Sequence, residues 1–408
     1  MYNFIIYLYL LGVAVASRFN DKVRKMWRGE RDAFRVLREK VEPGARYVWF
    51  HAASLGEFEQ GRPLMEQLRR ERPELKILLT FFSPSGYEVR KNYEGADVVC
   101  YLPIDTPTNV RRFIRMAHPS MAFFIKYEFW QNYLKSIQKH GIPVYSVSSI
   151  FRRDQVFFRW YGGRYHKVLT RFSHLFVQNE ESRRLLSLIG VKNVTVVGDT
   201  RMDRVMQIAA EAKNVPYVEE FKQGKPLFIA GSSWAPDEDL IIDYFNEHPD
   251  WKLILAPHEI HRQHLLDILS KLGRKAVLFT EATNENVADA DCLIIDCFGL
   301  LSSIYRYADI AYVGGGFGAG IHNVPEAAVF GIPVVFGPNN KHFKEAQDLL
   351  RAGACFEVTD KASFNSIVDR LVTDEEFRRK AGQASADYIK STSGATDKIL
   401  SLVDFSNI

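Results

Sequence analysis

The run YVWFHAASLGEFEQGRPLMEQLRRER, residues 47–72, decides the fold. Its first eight residues are mostly apolar and aromatic and read as a strand. The stretch beginning at Arg62 sets Leu64, Met65 and Leu68 on one side of a helix. Between them, Gly56 permits a tight strand-to-helix turn. The same unit recurs along the chain. KILLTFF, ADVVCYLP, MAFFIKY, IPVYSVSS and HLFVQN are further strands, with helical connectors between most of them. A second series starts near residue 226, with PLFIAGSS, KLILAPH, AVLFT, DCLIIDC, IAYVGGG and IPVVFGP as its strands. Strands alternating with helices predict parallel βαβ units and a doubly wound α/β sheet in each series. The boundary is expected near 205–225, and residues 374–405 read as terminal helices. Two Rossmann-like domains on one linker would face each other across a cleft, with ligands at the carboxyl ends of the strands.

Composition agrees with a folded enzyme-sized chain. The 408 residues carry 53 Lys+Arg against 49 Asp+Glu, with 47% hydrophobic and 25% charged residues. These proportions exclude wholesale disorder and a polytopic membrane protein. A net charge of +4 does not argue for nucleic-acid binding. The four cysteines, Cys100, Cys292, Cys297 and Cys355, fit neither a zinc site nor a disulfide framework and read as reduced thiols.

The N-terminus is different. Residues 2–16, YNFIIYLYLLGVAVA, carry no charge, and residues 18–40 hold nine Lys/Arg against four Asp/Glu. A secretory signal would put the positive charge before the apolar run. The charge following it predicts an uncleaved membrane anchor with the rest of the chain in the cytoplasm. The run is near the short limit for a crossing, which takes about 20 residues. The alternative is a helix packed on its own domain.

Five segments could carry chemistry. In His51-Ala-Ala-Ser54-Leu-Gly56-Glu57, the carboxylate of Glu57 lies near a helix start at the cleft mouth. It can act as a general base, or Ser54 and Glu57 can simply cap the helix. In Lys126-Tyr-Glu128-Phe-Trp130, Glu128 ends an apolar strand at the cleft rim or pairs with Lys126. In Gly198-Asp-Thr-Arg201-Met-Asp203, Arg201 can hold a phosphate or carboxylate, or can pair with a neighbouring Asp. Pro257-His258-Glu259-Ile-His261-Arg262-Gln-His264 is not HExxH, and its histidines drift around a helix, so no metal is expected. Pro257 at a helix start suits anion binding by backbone N–H groups. Residues 313–334 hold a glycine run, Gly314, Gly315, Gly316, Gly318 and Gly320, then Asn323-Val-Pro-Glu326. Glycine N–H groups can approach a phosphate, and Glu326 can accept from ribose hydroxyls. The strand after this run, PVVFGP, ends without an acid, so NAD is rejected, and no P-loop exists. Asp237–Asp239 reads as helix N-terminal charge and Asp289–Asp291 as a loop, which makes a metal-bridged sugar nucleotide unlike this chain.

Taken in order, these segments resemble the Kdo (3-deoxy-D-manno-octulosonic acid) transferases, glycosyltransferases of the GT-B architecture. SLGEFE at 54–59 is similar to that family's S-x-GE motif, YEFW at 127–130 to ETELWP, and QNEES at 178–182 to QNEED. GDTRMD at 198–203 is similar to G-x-x-K/R-x-D, GSSWAPDED at 231–239 to GST…GEE, and APHEIHR at 256–262 to PRHPER. GIHNVPEAAVFGIPVVFGP at 320–338 resembles GGHN-x-LE-x-AA…P-x-x-x-GP. The resemblance covers nearly the whole chain.

The resemblance implies an α/β GT-B fold of two facing Rossmann-like domains behind an N-terminal membrane-anchor helix. Residues 1–17 would be the anchor and 18–210 the acceptor-binding domain. Residues 211–408 would be the CMP-Kdo-binding domain, its terminal helices crossing back. It implies inverting, metal-independent and cofactor-free transfer of Kdo from CMP-Kdo to the lipid A precursor, lipid IVA. The reaction would run at the cytoplasmic face of the inner membrane. Glu57 matches the family's general base, and Glu128 and Arg201 match its transition-state pair. Pro257, His258, Phe298, Gly299, Leu300, Asn323, Val324, Pro325 and Glu326 match the CMP-binding segments, with Gly315 and Gly316 in the phosphate loop. Three departures stand out. Lys126 replaces a Glu, His258 replaces an Arg, and Cys297-Phe-Gly-Leu-Leu301 lacks a carboxylate that the family carries. Another GT-B transferase or an epimerase using a UDP-sugar is the alternative, and a membrane-anchored binding module that has lost catalysis is a second.

Overall fold

The computed structural model describes residues 2–406, without the side chain of Arg164. The chain divides into two compact units. One comprises residues 1–204 and 393–408, the other residues 205–392. The chain leaves the first unit inside the helix Thr200–Ala210, ahead of the expected boundary at 210/211, and returns after the helix Glu375–Thr392. The return is held by Asp203. Its carboxylate accepts from the backbone N–H of Gly394 and Thr396 and from the Thr396 hydroxyl, at 2.5–2.6 Å.

The first unit is built on β1 (Tyr47–Ala52), β2 (Lys76–Phe81), β3 (Val98–Tyr101), β4 (Pro119–Ile125), β5 (Val144–Ser149), β6 (His174–Val177) and β7 (Val194–Val196). All pairs are parallel, in the order β3-β2-β1-β4-β5-β6-β7. Every residue of β1 is buried, as expected for a parallel sheet covered on both faces. One continuous helix, Leu55–Glu71, follows β1 and runs through Pro63. It buries Phe58, Leu64, Met65 and Leu68 against the sheet.

The second unit repeats the plan with β8 (Leu227–Ser233), β9 (Lys252–Pro257), β10 (Ala276–Leu278), β11 (Cys292–Ile294), β12 (Ile310–Val313), β13 (Val334–Phe336) and β14 (Cys355–Glu357). Their order is β10-β11-β9-β8-β12-β13-β14, again all parallel. The strand β14 is absent from the sequence reading. It has three residues, of which only Cys355 is buried, too few for a periodic pattern. All four cysteines are free thiols.

Both sheets reverse direction of growth once, between β1 and β4 and between β8 and β12. At such a switch point the flanking helices leave on opposite faces, so the loops after the two strands part and open a crevice.

The apolar run forms the helix Tyr2–Ala16. At about 1.5 Å per residue it falls short of a bilayer core of about 30 Å. No helix among the described residues is long and apolar enough to cross a membrane. Part of the helix packs on its own unit. The Tyr2 hydroxyl donates to Asp105 at 2.6 Å, and Asn132 Nδ2 donates to Asn3 at 2.8 Å. Phe4, Ile5, Leu8, Leu11 and Val15 nevertheless remain exposed. The basic flank is the amphipathic helix Asp21–Lys40, capped by Asn20, which buries Met26, Ala33, Phe34 and Leu37.

Candidate active site

In the first unit, Glu57 and Glu128 meet at the switch point, and Arg201, after β7, is tied through Asp199 to Gln60 on the helix that carries Glu57. Glu57 stands in the first turn of the helix after β1, where the Ser54 N–H donates to its Oε2 at 3.1 Å. The capping role is therefore real, and it orients a carboxylate that has further work available. Burial pushes the Glu57 carboxyl above the usual range, and the negative charge of Glu128 adds to the shift. His51, the Ala53 N–H and Lys126 oppose it. A carboxylate made more basic in this way suits proton abstraction near neutral pH.

Glu128 follows β4. Its Oε2 accepts from Trp130 Nε1 at 2.5 Å and faces His51 Nε2 at 3.0 Å. His51 is fully buried in β1, and its Nδ1 lies 3.1 Å from the Thr80 carbonyl and 2.9 Å from the Thr80 hydroxyl on β2. Parallel register places His51 directly opposite Thr80. His51 was missed as a site residue because it sits inside an apolar strand. The available signal was a titratable side chain at a fully buried position.

Arg201 makes the Arg–Asp pair that was its alternative reading. Nε and Nη2 reach Asp199 Oδ2 at 3.0 and 2.8 Å. Asp199 is itself held by Gln60 Nε2 at 2.8 Å and Gln178 Nε2 at 3.0 Å. This fixes Arg201 from behind while leaving its side chain substantially exposed. Gln178 is the first residue of QNEES, so that motif's contribution is a second-hand hold on Arg201 through Asp199.

In the second unit, the equivalent switch point carries the glycine loop. Asp237, read as helix N-terminal charge, is the buried hub of this region. It accepts from the Trp234 N–H and the Gly315 N–H, each at 2.9 Å, and from the Tyr312 hydroxyl at 2.6 Å. The Gly315 N–H is therefore engaged within the protein, as are those of Gly314, Gly318 and Gly320. Gly316 meets the next strand's loop so closely that a Cβ there would lie 2.6 Å from Gly337 Cα.

Three rings stack beside this loop. Trp234 and His258 have centroids 4.5 Å apart, as do His258 and His322. Trp234 Nε1 donates to His322 Nε2 at 3.1 Å, which requires that nitrogen to be unprotonated. Burial, followed by the neighbouring His258, holds the His322 pKa down. Pro257 ends β9 rather than starting a helix. The following helix is Arg262–Lys271, capped by His261, because the His258 N–H still pairs with the Ser233 carbonyl at 2.9 Å.

Phe298 is exposed, and Gly299 takes the left-handed conformation before Leu300 caps the short helix Leu301–Ile304. Asn323 Nδ2 donates to Glu326 Oε1 at 2.6 Å, within the short helix Val324–Ala328 that also holds Pro325. Asp289 pairs with Lys275 on the surface at 3.2 Å. Among the described residues, no three His, Cys, Asp or Glu side chains converge as a metal site.

Residues 27–204 match the family described as 3-Deoxy-D-manno-octulosonic-acid transferase (kdotransferase). The 3-deoxy-D-manno-octulosonic acid transferase of Aquifex aeolicus is 28% identical over 337 residues, covering 80% of this chain and 86% of that protein. Its namesake from Haemophilus influenzae is 26% identical, covering 88% of this chain and 87% of that protein. Among solved structures, UDP-GlcNAc 2-epimerase from Neisseria meningitidis bound to UDP-GlcNAc aligns with a TM-score of 0.60 at 14% identity, over 87% of this chain and 98% of that one. A putative UDP-N-acetylglucosamine 2-epimerase from Listeria monocytogenes aligns at 0.54 and 13%, over 88% and 95%. At such identities the structures share the fold alone.

Proposed function

We propose that this chain is a Kdo transferase, a glycosyltransferase that transfers Kdo from CMP-Kdo to the lipid A precursor, lipid IVA; the family match over residues 27–204 and the relatives at 26–28% identity support the reading. The observation that carries the reading is the pair of carboxylates at the first unit's switch point. Glu57 has its pKa raised by burial and by Glu128, and Glu128 is braced by His51 and Trp130.

Glu57 takes the proton of an acceptor hydroxyl, whose oxygen attacks the anomeric carbon of Kdo from the face opposite CMP. The configuration inverts, the bond to the CMP phosphate breaks, and CMP leaves with the electron pair. Glu128 and Arg201 stabilise the charge redistribution. The nucleotide is held in the second unit by residues 257–258, 298–300, 315–316 and 323–326. Because the Gly315 N–H is engaged by Asp237, the phosphate is met by other groups, with His258 in the position that the family fills with Arg. No metal or cofactor takes part.

The helix Tyr2–Ala16 lies in the membrane interface rather than across it. Its exposed apolar side chains enter lipid, and the basic helix behind it faces anionic headgroups on the cytoplasmic side of the inner membrane.

A product assay by mass spectrometry, with CMP-Kdo and the lipid A precursor, tests the reaction. Kdo-modified lipid formed equally with and without EDTA is expected. Thermal stabilisation by CMP and not by UDP is expected in parallel. Stabilisation by UDP alone, with no Kdo product, would overturn the reading in favour of a UDP-sugar enzyme of the same architecture.

A further inference from the structure

Residues 151–172 of the first unit form a projecting wing that the chemistry above does not use. Its base is built into the core, where the Phe157 ring meets Phe129 with centroids 5.3 Å apart and the Phe151 ring meets Phe129 at 5.9 Å. Its tip is a tight turn, where the Gly162 N–H donates to the Arg159 carbonyl at 2.8 Å. A Cβ at Gly162 would lie 2.0 Å from the Val156 carbonyl oxygen, so only glycine fits. The turn thrusts out Trp160, 95% exposed, with Tyr161 and Tyr165 also exposed beside it. An indole left almost wholly in water costs free energy that packing elsewhere does not recover.

The wing is also basic. Residues 152–171 hold six Lys/Arg against a single acid, Asp154. Trp and Tyr mixed with Arg and Lys is the composition of a membrane interface, where amphipathic rings sit at headgroup level and cations meet anionic lipid. Placement supports the same occupant. The wing is rooted on Phe129, and the exposed apolar helix Tyr2–Ala16 is tied to Gln131 and Asn132 through Tyr2 and Asn3. Both elements therefore flank the 126–132 segment, which carries Glu128.

We infer that the wing is a second membrane contact, with Trp160, Tyr161 and Tyr165 inserting into the interface of an anionic bilayer beside the acceptor-side carboxylate. This inference rests on the membrane-surface reading of the N-terminal helix but is read out at a different residue. It does not require Kdo transfer.

The full-length protein is mixed with phosphatidylcholine vesicles containing phosphatidylglycerol, some with brominated acyl chains. Tryptophan quenching is compared between the parent and Trp160→Phe. Greater quenching in the parent is expected, and it should persist when Phe4→Lys, Leu8→Lys and Leu11→Lys are combined to disable the N-terminal helix. Equal quenching in parent and Trp160→Phe would overturn the inference whatever the N-terminal helix does. Loss of all vesicle binding in the Lys variant, with parent quenching intact, would overturn the independence of the wing. The combined Trp160→Ala, Tyr161→Ala, Tyr165→Ala variant should lose about tenfold in affinity for these vesicles, with CMP stabilisation unchanged. Unchanged vesicle affinity, accompanied by loss of a dimer in sedimentation, would instead assign the wing to self-association and overturn the membrane role.

Discussion

The His51 Nε2 lies 3.0 Å from Glu128 Oε2, while His51 Nδ1 faces the Thr80 carbonyl oxygen, which can only accept. Nδ1 also lies 2.9 Å from the Thr80 hydroxyl, so the ring is held on the β2 side while Nε2 meets the carboxyl group. The His51–Glu128 pair thus holds Glu128 in one orientation with one oxygen engaged, inside a strand that cannot shift without breaking the sheet. Replacing His51 by Phe keeps the ring and removes the bond. A charge-assisted bond of this kind contributes about 1.5–3 kcal/mol, so kcat is expected to fall roughly 10–100-fold while CMP still stabilises the protein. Parent-like kcat in steady-state assays would remove His51 from the positioning scheme.

Glu57→Gln preserves the size and most of the helix cap but removes the base. Turnover is expected to drop about 10²–10⁴-fold, the usual share of a general base. Nucleotide binding, measured by thermal shift with CMP, should persist. A Glu57→Gln enzyme with full turnover would leave the proton transfer to another group.

The raised pKa of Glu57 gives a signed pH dependence. The base works ionised, so activity falls as pH drops through its displaced pKa, and the acid limb should sit above the ordinary glutamate range. Burial is the larger cause and the Glu128 charge the second. Removing that charge with Glu128→Gln should lower the overall rate and move the acid limb to lower pH. A limb that stays in place while the rate drops would show that Glu128 does not couple to Glu57.

Asp237 is the buried acceptor for three donors: the Trp234 N–H after β8, the Tyr312 hydroxyl on β12 and the Gly315 N–H after it. Asp237→Ala leaves the Gly315 N–H and the Tyr312 hydroxyl without partners, at about 1–3 kcal/mol for each buried group. A lowered unfolding midpoint in denaturant and loss of CMP stabilisation are expected together. Tyr312→Phe removes one of these bonds and should give a smaller loss, with CMP stabilisation retained.

Glu30, on the helix Asp21–Lys40, is buried with Oε1 lacking any partner, and burial alone pushes its carboxyl well above the usual range. The folded state therefore favours the protonated form. This contribution to stability is full below the ordinary glutamate pKa and is lost as pH rises through the raised one. Glu30→Gln should accordingly raise the melting temperature at pH 8 and leave it nearly unchanged at pH 4. Equal effects at both pH values would contradict the sign.

The two α/β units were legible because strand runs such as 47–52 and 252–257 are continuous apolar stretches bounded by turns, a pattern the chain carries locally. The same holds for Glu57, whose place in the first turn after a strand follows from the Ser54 cap and the helix Leu55–Glu71; Gly56 lies inside that helix, where a Cβ would meet nothing, so no glycine-dependent turn is needed. Asp237 and His51 were not legible in their roles. Each looks ordinary in its own segment, as a helix cap or a polar residue in a strand. Their partners lie far off in sequence. His51 meets Thr80 across one strand pair and Glu128 beyond another, and Asp237 meets Gly315.

Local pattern, then, was enough for every strand but β14, for the parallel class and for the chemistry-bearing segments, because periodicity and turn residues act over a few neighbours. Strand order was not contained in it. Which strands flank the reversal in each sheet depends on long crossovers, and only those crossovers bring the loop after β1 to the loop after β4, and the loop after β8 to that after β12. The neighbours that raise the Glu57 pKa, hold Glu128 and fill the glycine loop's N–H groups follow from that juxtaposition. Burial and electrostatics depend on distance in space rather than along the chain.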